Sequence, residues 1–377
     1  MLSGEYPLLL CFERMRTAFH NCWLFSAPVD LSVFLGSAMV ALAALWIGSR
    51  QGYLDDKTPE WTWVSAVLLI DVAHVWATGF RTYFDRQEFL RRPILYSLVP
   101  FIGMAVGIAL YSEGKLVFWR TLAYIAVFHF VRQQYGWVAL YRARLSERDR
   151  VGYWIDSGAI YMATLYPLIY WHAHLPRNFW WFLPDNFVAI PPVVELFAAP
   201  LYWTALGLYA LRSLHLWLIV RRPNPGKDIV VATTALCWYT GIVAFNSDYA
   251  FTVTNGIIHG VPYLALVYWY RFGRLASHMP RRAHAWRVPF FLGLLWVMAY
   301  AEEMLWDRGI WHERAWLFGT SWDWGALHGV MVPLLALPQF THYILDGFIW
   351  KRKSNPEFTL VSGNSSDLLA AAGGNRG

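Results

Sequence analysis

The sequence predicts an all-α polytopic transmembrane bundle of about ten spans with both termini in the cytoplasm, and three observations carry that expectation. Of its 377 residues 57% are hydrophobic and 15% charged, with 23 Trp and a mean hydropathy of +0.33. That composition is too apolar and too aromatic for an ordinary soluble domain. The apolar residues gather into runs of about 20, the length a helix needs to cross a hydrocarbon core. The basic residues fall mainly in alternate connections between the runs, as the positive-inside rule requires.

The first run, 28–49, carries one acid, Asp30, and ends at Arg50. It is as long as a full span and has no small-residue cleavage site, so it does not read as a cleaved leader. The second, 61–84, is unusual in its polar content, described below. The third, 93–112, starts at Pro93 and holds no charge; proline suits the first turn of a helix. The fourth, 116–141, follows the turn Glu113-Gly114-Lys115, and the fifth, 151–171, follows the charged Glu147-Arg148-Asp149-Arg150. The sixth, 192–220, stops at Arg221-Arg222-Pro223. The seventh and eighth, 229–250 and 251–271, are parted only by the short polar connection around Asn246-Ser247-Asp248. Fusing them would invert every later span. The ninth is 287–306, and the tenth, 324–350, ends at Lys351-Arg352-Lys353.

With a cytoplasmic N-terminus, inside segments hold twenty Lys and Arg: Arg14 and Arg16; Arg86, Arg91 and Arg92; Arg142, Arg144, Arg148 and Arg150; Arg221, Arg222 and Lys227; Arg271, Arg274, Arg281, Arg282 and Arg287; Lys351, Arg352 and Lys353. Outside segments hold six: Arg50, Lys57, Lys115, Arg177, Arg308 and Arg314. An odd number of spans would scramble this asymmetry. Residues 1–353 therefore read as one transmembrane domain, multi-pass and of the bacterial inner-membrane kind. Residues 354–377, rich in Ser, Gly, Asn and Ala, read as a disordered tail. The aromatic, proline-rich stretch 172–191 is expected along the outer interface.

Several function classes are set aside. The net charge of +6 is spread in short clusters between apolar runs, which marks topology and not a nucleic-acid partner. Cys11, Cys22 and Cys237 form neither a CxxC pair nor an even framework. No internal repeat, P-loop, dinucleotide fingerprint or HExxH motif is present, and WHER at 311–314 lacks a second histidine.

The polar residues inside the spans are organised. In IDVAHVWATGFRTYFD, residues 70–85, Asp71, His74, Thr78, Arg81 and Asp85 recur at 3-4-3-4 spacing, one face of a helix. The fourth span places His129, Arg132, Gln133 and Gly136 on one face; the eighth puts Asn255 one turn before His259; the tenth aligns Gln339, His342 and Asp346. All four stripes lie in even-numbered spans, which run from outside to inside. Counted from the inner ends of their spans at ~1.5 Å per residue, the four histidines lie roughly 12–18 Å deep, in a common layer.

Ionisable groups at that depth cost several kcal/mol unless they face the bundle interior and find partners. Neutral imidazole is the commonest transition-metal ligand. The expected metal ligands are His74, His129, His259 and His342, with Asp346 and Asp71 completing or orienting the shell; Gln133 and Gln339 are further acceptors that can fix the ring tautomers. Arg132 or Gln133 is expected to position substrate or oxygen, and Asp71 is counted with them among the catalytic candidates. Arg81 and Asp85 are placed further along the same face, near the cytoplasmic interface, where they can pair or hold a head group, so that one face runs from site to entrance. The alternatives are an interhelical polar network and a proton or ion relay. His328 lies ~21 Å along a helix from His342 and cannot share a mononuclear site; WHAH at 171–174 offers a weaker chelate, and His20, His215, His278, His284 and His312 read as solvated.

Histidine and carboxylate ligands without cysteine favour iron, with zinc or copper behind it. Single histidines dispersed over several membrane helices, as in DVAH, HFVRQQYG, HGVPY and THYILD, resemble the multi-histidine membrane non-haem iron oxygenases, a grouping of lipid desaturases and hydroxylases and bacterial carotenoid-cleaving dioxygenases. The HxxxH and HxxHH boxes of the first branch are absent, so the arrangement is nearer the carotenoid-cleaving type. The resemblance implies an integral membrane oxidoreductase acting on a lipid or isoprenoid, without cysteine ligation and served by an electron donor. A cytochrome b-like haem protein, with His328 and His342 at two haem levels, and a proton-coupled transporter are the rival readings.

Overall fold

Apolar runs with no β-alternation form helices, and among the described residues the chain is all-helical, with no strand. The computed structural model describes residues 22–55, 58–273, 286–351 and Asn355. In chain order the helices are α1 (Ala27–Gln51), α2 (Glu60–Arg81), the short α3 (Arg86–Arg91), α4 (Pro93–Glu113), α5 (Lys115–Arg144), α6 (Arg150–Ala173), α7 (Val193–Val220), α8 (Pro225–Trp238), α9 (Asp248–Gly273), α10 (Arg287–Trp311), the short α11 (Ala315–Phe318), α12 (His328–Leu335) and α13 (Leu337–Ile349). Six of these, α1, α2, α4, α7, α9 and α10, are long and apolar enough to cross a membrane. The other four expected spans are helical too. Two of them are interrupted: α8 continues as a wide turn over Tyr239–Ala244, and the tenth divides into α12 and α13.

The interruptions have local causes. Pro338 lacks an N–H to bond one turn back, and Ala336 adopts ψ −8°, so the helix breaks there. Phe245 is extended, and Ser247 starts α9 by accepting from the Ala250 N–H at 3.5 Å. The connection between the seventh and eighth segments is therefore a genuine helix end. Helix α2 stops at Arg81, short of the expected residue 84, because Thr82 leaves the helical region and Asp85 instead caps α3 through the Gln87 and Glu88 amides. Asp85 thus falls off the expected stripe. The hairpin from α4 to α5 turns on Gly114 alone, at φ 144°, where a side chain would be strained.

Burial separates centre from periphery. The most apolar window of α9 is 72% buried, while those of α4 and α7 are 17% buried. Ile94 and Phe101 on α4 and Phe197 and Leu211 on α7 are exposed, an apolar exterior suited to lipid. Around α9, the four helices that carry the layer histidines form a closed square of contacts, α2 with α9, α9 with α5, α5 with α13 and α13 with α2. Helices α1, α4, α6, α7, α8, α10 and α12 pack outside it.

One end of the bundle is tied by charge. Arg142 on α5 and Lys227 on α8 are buried and meet the fully buried Asp156 of α6, Lys227 at 2.9 Å. Glu147 accepts from Lys227 at 2.6 Å and from the Asn224 amide at 2.6 Å, and Arg212 of α7 reaches Asp149 at 3.0 Å and Asp156 at 3.5 Å. Some of the basic residues read as topology markers are therefore also internal ion pairs. At the same end Arg81 is fully buried. It pairs with Glu88 at 3.3 Å, donates to Asn355 at 2.8 Å and lies over the Tyr270 ring at 4.2 Å. Of the two roles the sequence leaves it, pairing or holding a head group, Arg81 takes the first.

The stretch 172–191 follows the end of α6 with rings turned both ways: Phe179 and Phe187 are buried against Trp171 and Trp181 meets Phe130 with ring centres 4.8 Å apart, while Trp180 and Val188 are exposed. The tail from 356 onward and the segment 274–285, with His278 and His284, lie outside the described residues, as does His20.

Candidate metal centre

His74 on α2, His129 on α5, His259 on α9 and His342 on α13 converge at the middle of the helix square, each at most 3% exposed. Going round the square, neighbouring ring centres are 4.7 Å apart for His74 and His259, 5.3 Å for His259 and His129, 4.5 Å for His129 and His342, and 4.9 Å for His342 and His74. The Nε2 atoms of His74 and His259 are 3.1 Å apart, and those of His342 and His129 3.2 Å. One ligating atom each from His74, His129 and His342 lies within 4.8 Å of the others, and the same holds for Asp71, His74 and His259. His74 belongs to both groups.

The spacings within each group match donors arranged round an ion. With a metal–nitrogen bond of ~2.0–2.1 Å, ring centres stand roughly 4.5 Å apart at the corners of a square and about 5.2 Å apart at those of a tetrahedron, with nitrogens ~2.9–3.4 Å apart. The observed values fall in those ranges.

Hydrogen bonding behind the rings fixes where their protons point. A carboxylate only accepts, so the Tyr263 hydroxyl donates to Asp346 Oδ1 at 2.7 Å. Thr78 then donates to Tyr263 at 2.9 Å, which leaves the Thr78 oxygen to accept from His342 Nδ1 at 2.7 Å. The second oxygen of Asp346 faces His129 Nδ1 at 3.7 Å. A proton on His342 Nδ1 leaves a lone pair on its Nε2, aimed at His129 Nε2 3.2 Å away. A lone pair aimed into a cluster of buried imidazoles is an arrangement that suits a metal ion.

Asp346 thus sits behind the histidines as their anchor, accepting also from Trp350 Nε1 at 2.8 Å, and is not among the converging ligand atoms. Asp71 lies 3.6 Å from His74 Nδ1. It belongs to a wide-turn stretch of α2, Trp63–Val72, that ends just before His74; Asn255 occupies a similar stretch of α9, Thr252–Gly256, just before His259. Such wide turns recur at functional sites. Phe130 stacks on the His259 ring at 3.5 Å and 10°.

Arg132 is not where the sequence reading put it, whereas Gln133 meets the layer from behind, its side chain reaching His129. Arg132 is exposed, bonds the Tyr161 hydroxyl and lies over Tyr135, away from the histidines. Gln133 is buried, and its amide nitrogen donates to the His259 carbonyl at 2.9 Å, joining α5 to α9. An arginine three residues from a buried histidine has turned 300° round the helix, far enough to reach the flank of the helix. His328 caps its own turn through Gly325 O at 2.7 Å. His172 and His174 each bond a backbone carbonyl one turn back, which uses Nδ1 and leaves no chelate.

A cavity of about 810 Å³ reaches the layer from the end of the bundle that carries the 52–59, 174–192 and 312–324 connections. Of the four histidines only His74 borders it, beside Asp71, Gln339 and Tyr343. Neither Arg132 nor Gln133 lines it, and no wall residue comes from the Arg81 end, so it is a blind cavity ending at the histidines. Thr78, Tyr263 and the cavity acid Glu303 carried no role in the sequence reading. Thr78 and Tyr263 each stand four residues after a layer histidine, and Glu302-Glu303 is an acidic pair within an apolar span, the signal that marks a functional group in a membrane.

Comparison with protein-family models, curated proteins and solved structures finds no match to this chain. Its function has to be read from the site.

Proposed function

We propose that the chain is a multi-pass integral membrane protein of the bacterial inner membrane, with ten crossings, both ends cytoplasmic and a metal-dependent oxidoreductase site in the histidine layer. The convergence of buried histidine ligand atoms, with the His342 Nε2 lone pair aimed into the layer, carries the metal reading. His74, His129, His259 and His342 would hold the ion, Thr78 and Asp346 would orient two of the rings, and Asp71 would complete or orient the shell on the cavity side. Iron suits imidazole and carboxylate donors without thiolate, and with open positions it supplies the dioxygen chemistry that oxidises an unactivated C–H or C=C bond. The aromatic cavity beside His74 would hold the reacting part of a lipid or isoprenoid and exclude water from it.

The spacing weighs against haem. Rings 4.5–5.3 Å apart leave no room for a macrocycle among them. A blind cavity weighs against a through-going relay, since a transport path needs access from both sides.

The test is metal analysis of the detergent-purified protein with its visible spectrum. One or two ions per chain, iron first, and no Soret band are expected. A metal-free protein, or a strong Soret band, overturns the reading. For topology, reporter fusions after Arg150 and Lys353 are expected to report cytoplasm and a fusion after Lys57 the exterior. Opposite outcomes at Arg150 and Lys353 would remove the ten-span arrangement and its common-depth argument.

A further inference from the structure

The cavity wall has a charge and donor balance that the metal reading does not use. Arg314, the one Arg or Lys on the wall among the described residues, is engaged by Glu60 and Glu313, each at 3.0 Å. Asp55, Asp71, Asp248 and Glu303 remain. Thr58 donates to Asp248 at 2.6 Å. Glu303, 9% exposed, makes no hydrogen bond or close ion pair among the described residues, with Glu302 and Arg314 acting on it at longer range. The nearby indoles do not supply it, because Trp76 and Trp306 both donate to Glu302, at 2.6 Å and 3.4 Å.

Two more acceptors on the wall lack donors. Asn255 turns its amide nitrogen to Phe251 O and Thr254 Oγ1, which fixes its orientation and leaves a buried Oδ1 with no partner. Gln339 Oε1 is likewise buried without one. Buried acceptors without donors cost ~1–3 kcal/mol each in ordinary interiors. Trp63, Trp119, Trp181, Phe251, Trp306 and Trp311 form much of the remaining wall, and their faces are negative.

Carboxylates and aromatic faces on one wall ask for a cation that donates hydrogen bonds. We propose that the cavity binds a ligand carrying a protonated amine, its ammonium at Glu303 and its apolar body against the tryptophans. An ammonium has three donors and no acceptor, which complements this wall; an anionic head group would face uncompensated carboxylates. On the oxidoreductase reading, which this inference deepens, the amine-bearing molecule is the substrate and His74 faces its body.

Isothermal titration of the purified full-length protein with octylamine and with octanol tests it at neutral pH. Octylamine is expected to bind at least tenfold tighter than octanol. E303Q, which keeps the shape and removes the charge, is expected to weaken octylamine about tenfold and leave octanol unchanged. Equal affinity of the two probes for the parent overturns the inference whatever the variant does, so a misfolded E303Q does not shelter it. Butylamine and dodecylamine distinguish the source: affinity rising with chain length points to a membrane amphiphile, a flat series to a small soluble amine, and either keeps the ammonium site. Metal content measured on the same samples separates this inference from the one it rests on. Metal-free protein that prefers the amine retains the site and loses the oxidoreductase; metal-loaded protein that does not discriminate does the reverse.

Discussion

Replacing His74 by alanine is expected to remove nearly all bound metal, at least tenfold per purified chain, while His328→Ala leaves metal content unchanged. His74 is the residue common to both groups of converging ligand atoms, and its Nε2 lies 3.1 Å from that of His259. Its loss opens the square between α2 and α9 and takes a ligand from both groups at once, and Val75 and Ala73 beside it carry no donor atom. Insertion is preserved because it depends on the summed hydropathy of the spans, which alanine hardly changes. His328 is bound to its own turn through Gly325. Asp346→Asn is expected to fall between the two, with affinity lowered on the order of 10- to 100-fold, because it unsettles the proton order that points the His342 lone pair inward. Equal metal loss in His74→Ala and His328→Ala would indicate general misfolding; unchanged metal in all three variants would mean that the layer is a structural polar network.

The layer was legible from spacing because depth in a membrane helix is a counting problem. Four histidines at similar distances from the inner ends of parallel helices are brought to one level by the bilayer itself, provided that the spans are read correctly. Which side of each helix faces the centre was less legible. The i, i+3, i+4 rule gives a face about 100° wide, and Arg132 falls at its margin, where Tyr161 on α6 draws it outward. Asp85 was misplaced for another reason. The stripe assumes that the helix continues, and Thr82 ends it.

The blind direction of the cavity was not readable at all. Arg81 in sequence is an intramembrane cation close to a span end, which ordinarily extends towards the head groups. Its partners decide otherwise, and Glu88, Asn355 and Tyr270 come from three separate parts of the chain. The same long-range pairing put Asp346 behind the metal candidates. Four residues, about one turn, from His342, it could serve as ligand or anchor by spacing alone, and the donors that select the second role, Tyr263 and Trp350, are fixed by packing of α9 on α13.

Asp156→Ala is expected to be the most destabilising single change at the opposite end of the site helices, about 3–5 kcal/mol. Asp156 is fully buried and joins Arg142 of α5, Lys227 of α8 and Arg212 of α7, so three helices lose their common anion at once. Arg142 and Lys227 keep Glu147, at 3.3 Å and 2.6 Å, but one positive charge is then left uncompensated in a setting that hydrates it poorly. The cost arises from that orphaned charge more than from the lost attraction. Removing a cation as well should therefore restore part of the stability: Asp156→Ala with Lys227→Ala is expected to cost less than the two single changes added together. Denaturation of the purified variants, followed by tryptophan fluorescence, measures this. A shift under ~0.5 kcal/mol for Asp156→Ala, the size of a surface substitution, would show that the cluster is hydrated and does not hold the helices. Metal per folded chain should be unchanged in these variants, because none of the cluster residues touches a layer histidine. A parallel loss of metal would instead mean that the spacing of His129 on α5 depends on this distant tie.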